Sequence, residues 1–379
     1  MSSSPGLFFT VLAFFLVIGP LIFIHEMGHY LAGRWFGVKA DVFSIGFGRE
    51  VLGWTDRQGT RWKVGWLPLG GYVKFAGDMN PASTPTDDWL SLPPEERNRT
   101  FQAKKVWQRF LIVLAGPATN FLFAIVAFMI IFGIYGYPST PAAIGEVTQG
   151  SVAQAAGFRP GDQILEINGS RMRNFGDLTT YISLRPSEPM DFRVRRNGAE
   201  LHIQATPREV DQPDRFGNHA RIGQLGVKPS VQQTEYTRLS LLQLPGAAVG
   251  QTVDSVQTML TALGQVISGR RGLSELGGPL KIGQIAGQQA SLGWLSFFWF
   301  MTIVSINLGF INLLPIPLLD GGHLLFYAIE GVRRKPLRPE AQEWAFRTGL
   351  AVLLALMIFV TFNDLASFGL FEKLGGLIG

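Results

Sequence analysis

Apolar residues gather in four long runs, Leu7–Ile24, Phe110–Ile134, Trp294–Ile316 and Ala345–Phe362. Each approaches the roughly 17–25 residues that a helix needs to cross the hydrocarbon of a bilayer. Polar residues return at ordinary density between them. The pattern predicts a polytopic α-helical membrane protein of about four transmembrane helices, with folded material inserted between the spans. The expected segments are a first span over 1–34, a loop over 35–105 and a second span over 106–137. A folded insertion over 138–230 and a helical stretch over 231–292 follow, then a third span over 293–330, a basic loop over 331–344, and a fourth span with its tail over 345–379.

Charge orients these segments. The loop after the third span holds Arg333, Arg334, Lys335 and Arg338, and the 35–105 loop is basic at its membrane ends through Arg34, Lys39, Lys104, Lys105 and Arg109. Short basic loops stay cytoplasmic. Both loops are therefore expected inside, with both termini and the long insertion outside. Trp35, Trp107, Tyr135, Tyr137, Trp294 and Trp344 bracket the apolar runs, where aromatic rings anchor spans at the interface. No basic residue precedes the first run, which ends in ionisable residues, so it reads as a retained span rather than a cleaved leader.

Within the insertion, Ala143–Val147, Gln163–Ile167, Met190–Arg195 and Glu200–Thr206 have strand composition, with Asn168-Gly169 and Asn197-Gly198 as hairpin turns. Ser151–Gly157 and Asp177–Ser183 read as short helices. The run Gly-Phe-Arg-Pro-Gly-Asp-Gln-Ile-Leu-Glu-Ile-Asn-Gly at Gly157–Gly169 resembles a PDZ domain, the likeness covering Ala142–Pro207. It implies an extracytoplasmic PDZ-like α+β domain with its groove at Ile144, Gly145, Glu146 and Val147, taking an extended peptide ligand by strand addition. A packing module without a ligand is the alternative. Val249–Ile267 has helical apolar spacing, with Asp254 and Gln257 on another face, and is too polar for a fifth span.

Composition narrows the classes. The 379 residues are 47% hydrophobic, and the formal charge of +5 is spread over loops rather than gathered on one helix, which argues against a nucleic-acid partner. The absence of cysteine excludes disulfides and thiolate metal sites.

The candidate chemistry lies at His25-Glu26-Met27-Gly28-His29, the end of the first span. Residues four apart share a helix face, so both imidazoles can reach one metal ion, and Glu26 is placed to accept a proton from the attacking water. Ionisable side chains are expensive at the end of an apolar span, and they are not expected there without a task. A catalytic zinc site usually has three protein ligands. Of the five histidines, His202 and His219 fall in the insertion, which leaves Asp320 and His323 at the inner end of the third span. Spans one and three run in the same direction, so these groups are expected at a similar depth. Pro315 and Pro317 break the helix and re-aim Asp320. Asp320 is favoured as the third ligand, and His323 as a supporting or packing residue. Asn312 is a candidate donor to a substrate backbone or an oxyanion; an interhelical amide contact is its alternative.

His25-Glu26-x-x-His29 in a first span, Asn312-Leu-Leu-Pro-Ile-Pro-Leu-Leu-Asp-Gly321 in a later one, and the PDZ-like insertion together resemble the site-2 protease family of intramembrane zinc metalloproteases. Within it they resemble the bacterial regulator of sigma-E protease branch, over nearly the whole chain. The resemblance implies Zn2+ on His25, His29 and Asp320, with Glu26 as catalytic base. It implies hydrolysis of peptide bonds inside the transmembrane segments of single-span membrane proteins, such as anti-sigma factors, with remnant signal peptides a further candidate. It also implies a multi-pass protein in the lipid of the bacterial inner membrane, its active site toward the cytoplasm and its PDZ-like domain in the periplasm. Gly65–Lys74, with Gly70 and Gly71, resembles the family's cytoplasmic-side re-entrant β-loop, which offers an edge to an unwound substrate; Asn312 and Pro315 would bind substrate nearby. Gly116-Pro-Ala-Thr-Asn120 matches the family's Gly-x-x-x-Asn pattern, which either packs helices closely or brings Asn120 to the active site. The best-known members carry two tandem PDZ domains, whereas one is legible here. The alternative functions are a non-catalytic membrane receptor or scaffold built on the PDZ-like groove and, less well matched, a metal transporter, which would need polar residues along several spans.

Overall fold

The computed structural model describes residues 6–77, 90–138, 141–213, 219–230, 236–269, 278–335 and 337–367. The tail expected after the fourth span lies outside the described residues. In chain order the first elements are α1 (Leu7–Trp35), β1 (Ala40–Thr55), β2 (Arg61–Phe75), α2 (Pro94–Arg97) and α3 (Val106–Tyr135). Next come β3 (Tyr137–Pro138), β4 (Ile144–Val147), α4 (Val152–Ala155), β5 (Gln163–Ile167), β6 (Ser170–Arg171), α5 (Phe175–Ser183), β7 (Met190–Arg196) and β8 (Ala199–Ala205). The chain continues through β9 (Arg208–Pro213), β10 (His219–Gln224), β11 (Val227–Pro229) and β12 (Tyr236–Thr237). It ends in α6 (Leu244–Ile267), α7 (Pro279–Ser291), α8 (Trp294–Leu313), α9 (Asp320–Arg333) and α10 (Pro339–Ser367). The residues divide into two compact units.

The first unit comprises Met1–Phe128, Ala248–Val256 and Gly277–Asp364. Helices long and apolar enough to cross a membrane cover Leu7–Trp35, Val106–Tyr135, Trp294–Leu313 and Glu340–Leu365. Their outward positions stay apolar: Phe8, Leu16, Leu122 and Phe362 are all exposed. A helix in lipid must satisfy its own backbone and can leave apolar side chains outside, and that is the pattern here. The protein is a polytopic helical membrane protein with β-rich insertions.

Two departures from the sequence reading position the site. The third span stops at Leu313; residues 314–319 turn, with Leu318 at φ +83°, and α9 starts afresh at Asp320. Gly321 and Gly322 allow this reversal, since a Cβ on either would fall 2.1 Å from the Leu314 carbonyl oxygen or 2.6 Å from that of Ile316. Because α9 runs to Arg333 and α10 begins at Pro339, the basic loop expected over 331–344 shrinks to a few residues. The second departure is the packing of α7, which falls within the helical stretch expected over 231–292 but whose place on α1 is not legible in sequence. The helix lies along the N-terminal half of α1, with Gly283 against Phe14 and Gly287 against Thr10. Ala286 shares a buried cluster with Ala13, Val17 and Leu21.

The β-segment after α1 is larger than Gly65–Lys74. Strands β1 and β2 fold back on themselves, so that residues 42–45 pair on one side with 61–64 and on the other with 71–74, while 50–55 pair with 61–65. Glycines at the bends make this possible: Gly46 and Gly48 have φ of +86° and +83°. The resulting sheet runs 50–55, 61–65, 42–45, 71–75, so that among the described residues 71–75 is an outer segment.

The second unit comprises Met129–Ala247, Gln257–Leu276 and Leu365–Gly379. Its main sheet has the antiparallel order β6-β5-β7-β8, with Ile144, Ile164, Ile167, Leu178, Phe192 and Val194 in one buried core. Here the expected peptide-accepting edge at Ile144–Val147 needs correction. Strand β4 is paired to β11 on one side through Val147–Val227 and Glu146–Lys228. On the other side Ile144 N–H donates to the Asp162 carbonyl at 2.8 Å, and the Ile144 carbonyl accepts from Gly161 at 2.7 Å. An incoming strand cannot add on the β11 side of β4, nor at Ile144 on the other. Among the described residues the outer strand of this pair is β11.

A buried ion pair anchors the unit. Asp162 is fully buried and accepts two bonds from Arg196, Nε to Oδ1 and an Nη2 to Oδ2, each at 2.7 Å. Asp162→Ala leaves the partly buried guanidinium without its partner, and such breaks cost about 3–5 kcal/mol. Hydrogen exchange of the β5 and β7 amides in the full chain is expected to accelerate by two or more orders of magnitude; unchanged protection would refute the anchoring role.

Candidate metal centre

Helix α1 carries His25 and His29 on one face, and α9 delivers Asp320 at its first residue. Their ligand atoms converge. His25 Nε2 lies 3.3 Å from His29 Nε2, and Asp320 Oδ2 lies 3.1 Å from the first and 3.5 Å from the second. A tetrahedral ion with bonds of about 2.0–2.1 Å sets its ligand atoms about 3.3–3.4 Å apart, so this triangle fits one face of such a polyhedron. The donor set also calls for a cation. The His29 Nδ1–H donates to the Ile112 carbonyl at 2.9 Å, which turns the lone pair of Nε2 into the triangle. Asp320 Oδ2 is buried without a hydrogen-bond donor. Facing lone pairs and a buried anionic oxygen are costly unless a cation joins them.

Neighbouring helices shape this triangle. Gly28 lets α3 approach α1, since a Cβ there would fall 2.4 Å from the Ala115 carbonyl oxygen. Gly116 clears room for the His29 ring: a Cβ would lie 2.2 Å from Nε2. Thr119 Oγ sits between the two helices, 2.7 Å from the Gly116 carbonyl of its own helix and 3.0 Å from that of Ile24, one residue before His25. Helix α9 is held by Glu330, which accepts from Arg109 at 3.3 Å and from the Leu337 amide at 3.1 Å; the Arg109 guanidinium stacks 4.9 Å from the Tyr327 ring. Of these, only the close packing at Gly116 is legible in the Gly116–Asn120 motif; a carbonyl such as that of Ile112 has no side-chain signature to find.

The other candidates fall around the triangle. Glu26 is buried beside it, outside the ligand set. Gly71 of β2 lies against Glu26, with a Cβ position 3.0 Å from its Cγ, so the outer β segment passes the glutamate backbone-first. Gly70 has φ +136° and packs on the Phe47 ring. Asn312 donates its amide to the Leu308 carbonyl at 3.0 Å, one turn back in its own helix, and Pro315 is exposed in the turn before α9. His323 packs between the rings of Tyr327 and Phe346 and takes no part in the ligand cluster. Asn120 is fully buried beside His25.

Residues 13–356 match the sequence model of Peptidase family M50. The chain belongs to that family. Relatives agree over almost the full length. Metalloprotease MmpA of Caulobacter vibrioides is 39% identical over 98% of this chain and 99% of its own. Proteins of Agrobacterium fabrum and Mesorhizobium japonicum, both named as putative zinc metalloproteases, are 41% and 42% identical over 94% of this chain and 96% and 98% of theirs. This M50 peptidase is a zinc metalloprotease, and its His25, His29 and Asp320 cluster has the donors that zinc requires.

Proposed function

We propose that this M50 peptidase cuts peptide bonds within the transmembrane segments of other membrane proteins. The observation that carries this reading is the position of the metal triangle, assembled from the end of one membrane-length apolar helix and the break that follows another. His25, His29 and Asp320 hold Zn2+, which when bound polarises the scissile carbonyl and acidifies a water molecule. Glu26 takes the proton of the attacking water and returns it to the leaving amine. It is buried one residue from His25, where its proton is screened from bulk solvent.

A substrate helix hides its carbonyls in its own hydrogen bonds, so it must be extended before water can attack. The outer segment 71–75 runs past Glu26 and offers a strand edge for that purpose, and Asn312 and Pro315 are read as further substrate contacts. The exposed Phe47, Val51, Leu52, Trp54 and Trp66 suit the sheet to dip into lipid as a re-entrant element. The second unit is read as a PDZ-like domain of the regulator of sigma-E protease kind, outside a bacterial inner membrane, with β11 as the strand open to a peptide. A cytoplasmic-side metal site is the reading that the basic residues on the loops near α9 and α3 support. Single-span proteins such as anti-sigma factors are the substrate class.

The test is co-reconstitution in liposomes with a tagged single-span substrate. Cleavage inside the span, abolished by chelation and restored by zinc, is the expected result. A zinc-loaded protein that cuts none of a panel of such spans would favour the receptor or scaffold role instead.

A further inference from the structure

Helix α3 presents Ile112, Gly116 and Asn120 at four-residue spacing, one face of a helix, to the histidines of α1. Ile112 and Gly116 both serve His29, as hydrogen-bond acceptor and as clearance. Asn120 stands opposite His25, with its amide placed so that Nδ2 lies 3.2 Å from His25 Nδ1 and Oδ1 points away. The side chain is fully buried, and one end of its carboxamide has no hydrogen-bond partner.

The two ends of a carboxamide have the same shape, so hydrogen-bond demand decides which faces the ring. If the NH2 group faced His25, Nδ1 would have to accept. The ring proton would then sit on Nε2 and point into the triangle 3.1 Å from Asp320 Oδ2, and His25 could not bind a metal. If the oxygen faces His25, it accepts the Nδ1–H and Nε2 presents its lone pair beside that of His29; each orientation leaves one end of the carboxamide without a partner, so the metal site decides between them.

We propose that Asn120 is the positioning residue for His25: its amide oxygen accepts the Nδ1–H and fixes the tautomer and ring plane that bind zinc. The inference rests on the zinc reading of the triangle. It gives the two histidines parallel supports on one helix, the Ile112 carbonyl for His29 and the Asn120 carbonyl for His25. Ser305 Oγ donates to the Asn120 backbone carbonyl at 3.0 Å and so locks this turn of α3 against α8. Partners of this kind that hold metal-binding histidines typically govern metal affinity by 10–100-fold.

The experiment measures zinc affinity by chelator competition on detergent-purified full-length wild type, Asn120→Leu, Asn120→Asp and a His25→Ala control. Asn120→Leu removes the acceptor at similar volume and is expected to bind zinc about 10–100-fold more weakly. Asn120→Asp keeps an acceptor in either orientation and is expected to stay within about threefold of wild type, as carboxylate–histidine pairs do at metal sites. A purely structural amide predicts the opposite order, because a buried charge perturbs packing more than leucine does. Equal affinity of Asn120→Leu and wild type would overturn the proposal. So would an Asn120→Asp protein as weak as the leucine variant, and that arm decides alone should Asn120→Leu fail to fold. Wild-type binding no tighter than His25→Ala would instead refute the zinc reading itself.

Discussion

Glu26→Gln is expected to lower cleavage of a membrane-embedded span by about 10²–10⁴-fold while zinc stays bound. Glutamine has the shape of glutamate and can still accept a hydrogen bond from water. It cannot carry a proton from the nucleophile to the leaving amine. Glu26 lies outside the ligand triangle, so metal content is expected to match wild type, and its burial at 8% exposure leaves little room for bulk water to substitute. Single-turnover cleavage in liposomes, paired with zinc content on the same preparations, is the measurement. A variant retaining more than about a tenth of the activity would refute the general-base role. One that loses zinc as well would instead show that Glu26 supports the metal site.

The second large effect is expected at Gly116. Alanine is the better helix former by roughly 0.5–1 kcal/mol, so on local grounds Gly116→Ala strengthens α3. The site forbids it. The new methyl group would stand 2.2 Å from His29 Nε2, and the ring is held on its other side by the Ile112 carbonyl. Either the imidazole leaves the triangle or α3 backs away from α1. A displacement near 1 Å at such a site costs about a hundredfold in rate, and weaker zinc binding is expected to accompany it. Gly133 is the control on the same helix, since its added Cβ would meet Leu244 at an ordinary 3.6 Å. Gly133→Ala is expected to keep full activity. If Gly116→Ala cleaves as fast as Gly133→Ala, the close approach of α3 is dispensable for catalysis.

The sequence exposes side chains whose chemistry is out of place. His25, Glu26 and His29 stand out because an apolar span has no other use for them, and Asp320 stands out because Pro315 and Pro317 free it from a regular helix. The spans stand out for the same reason in reverse, as runs too apolar for water. What sequence conceals is whatever depends on a partner far along the chain. The occupied edge of β4 is set by β11, some eighty residues later, so Ile144–Val147 looks like a free strand until its neighbour is placed. The folded-back pairing of β1 and β2 turns on left-handed glycines, and Gly46 and Gly48 could equally mark an ordinary loop. The support of His29 comes from a backbone carbonyl, which every residue possesses. The docking of α7 is hidden in the same way: Gly-Gln-Ile-Ala-Gly-Gln-Gln-Ala falls in a stretch expected to be helical, but only the position of α1 shows that its small residues fit there.

Asp364, near the end of α10, is only 1% exposed. Its carboxylate accepts the backbone amides of Gly278 at 3.1 Å and Lys281 at 3.2 Å, the first turn of α7. A carboxylate in a membrane helix is a burden to insertion on its own, and here its compensation is supplied by a helix synthesised roughly eighty residues earlier. The last span is thus tied through α7 to the first: α7 packs on the N-terminal helix, and its first turn supplies the amides that the C-terminal carboxylate accepts.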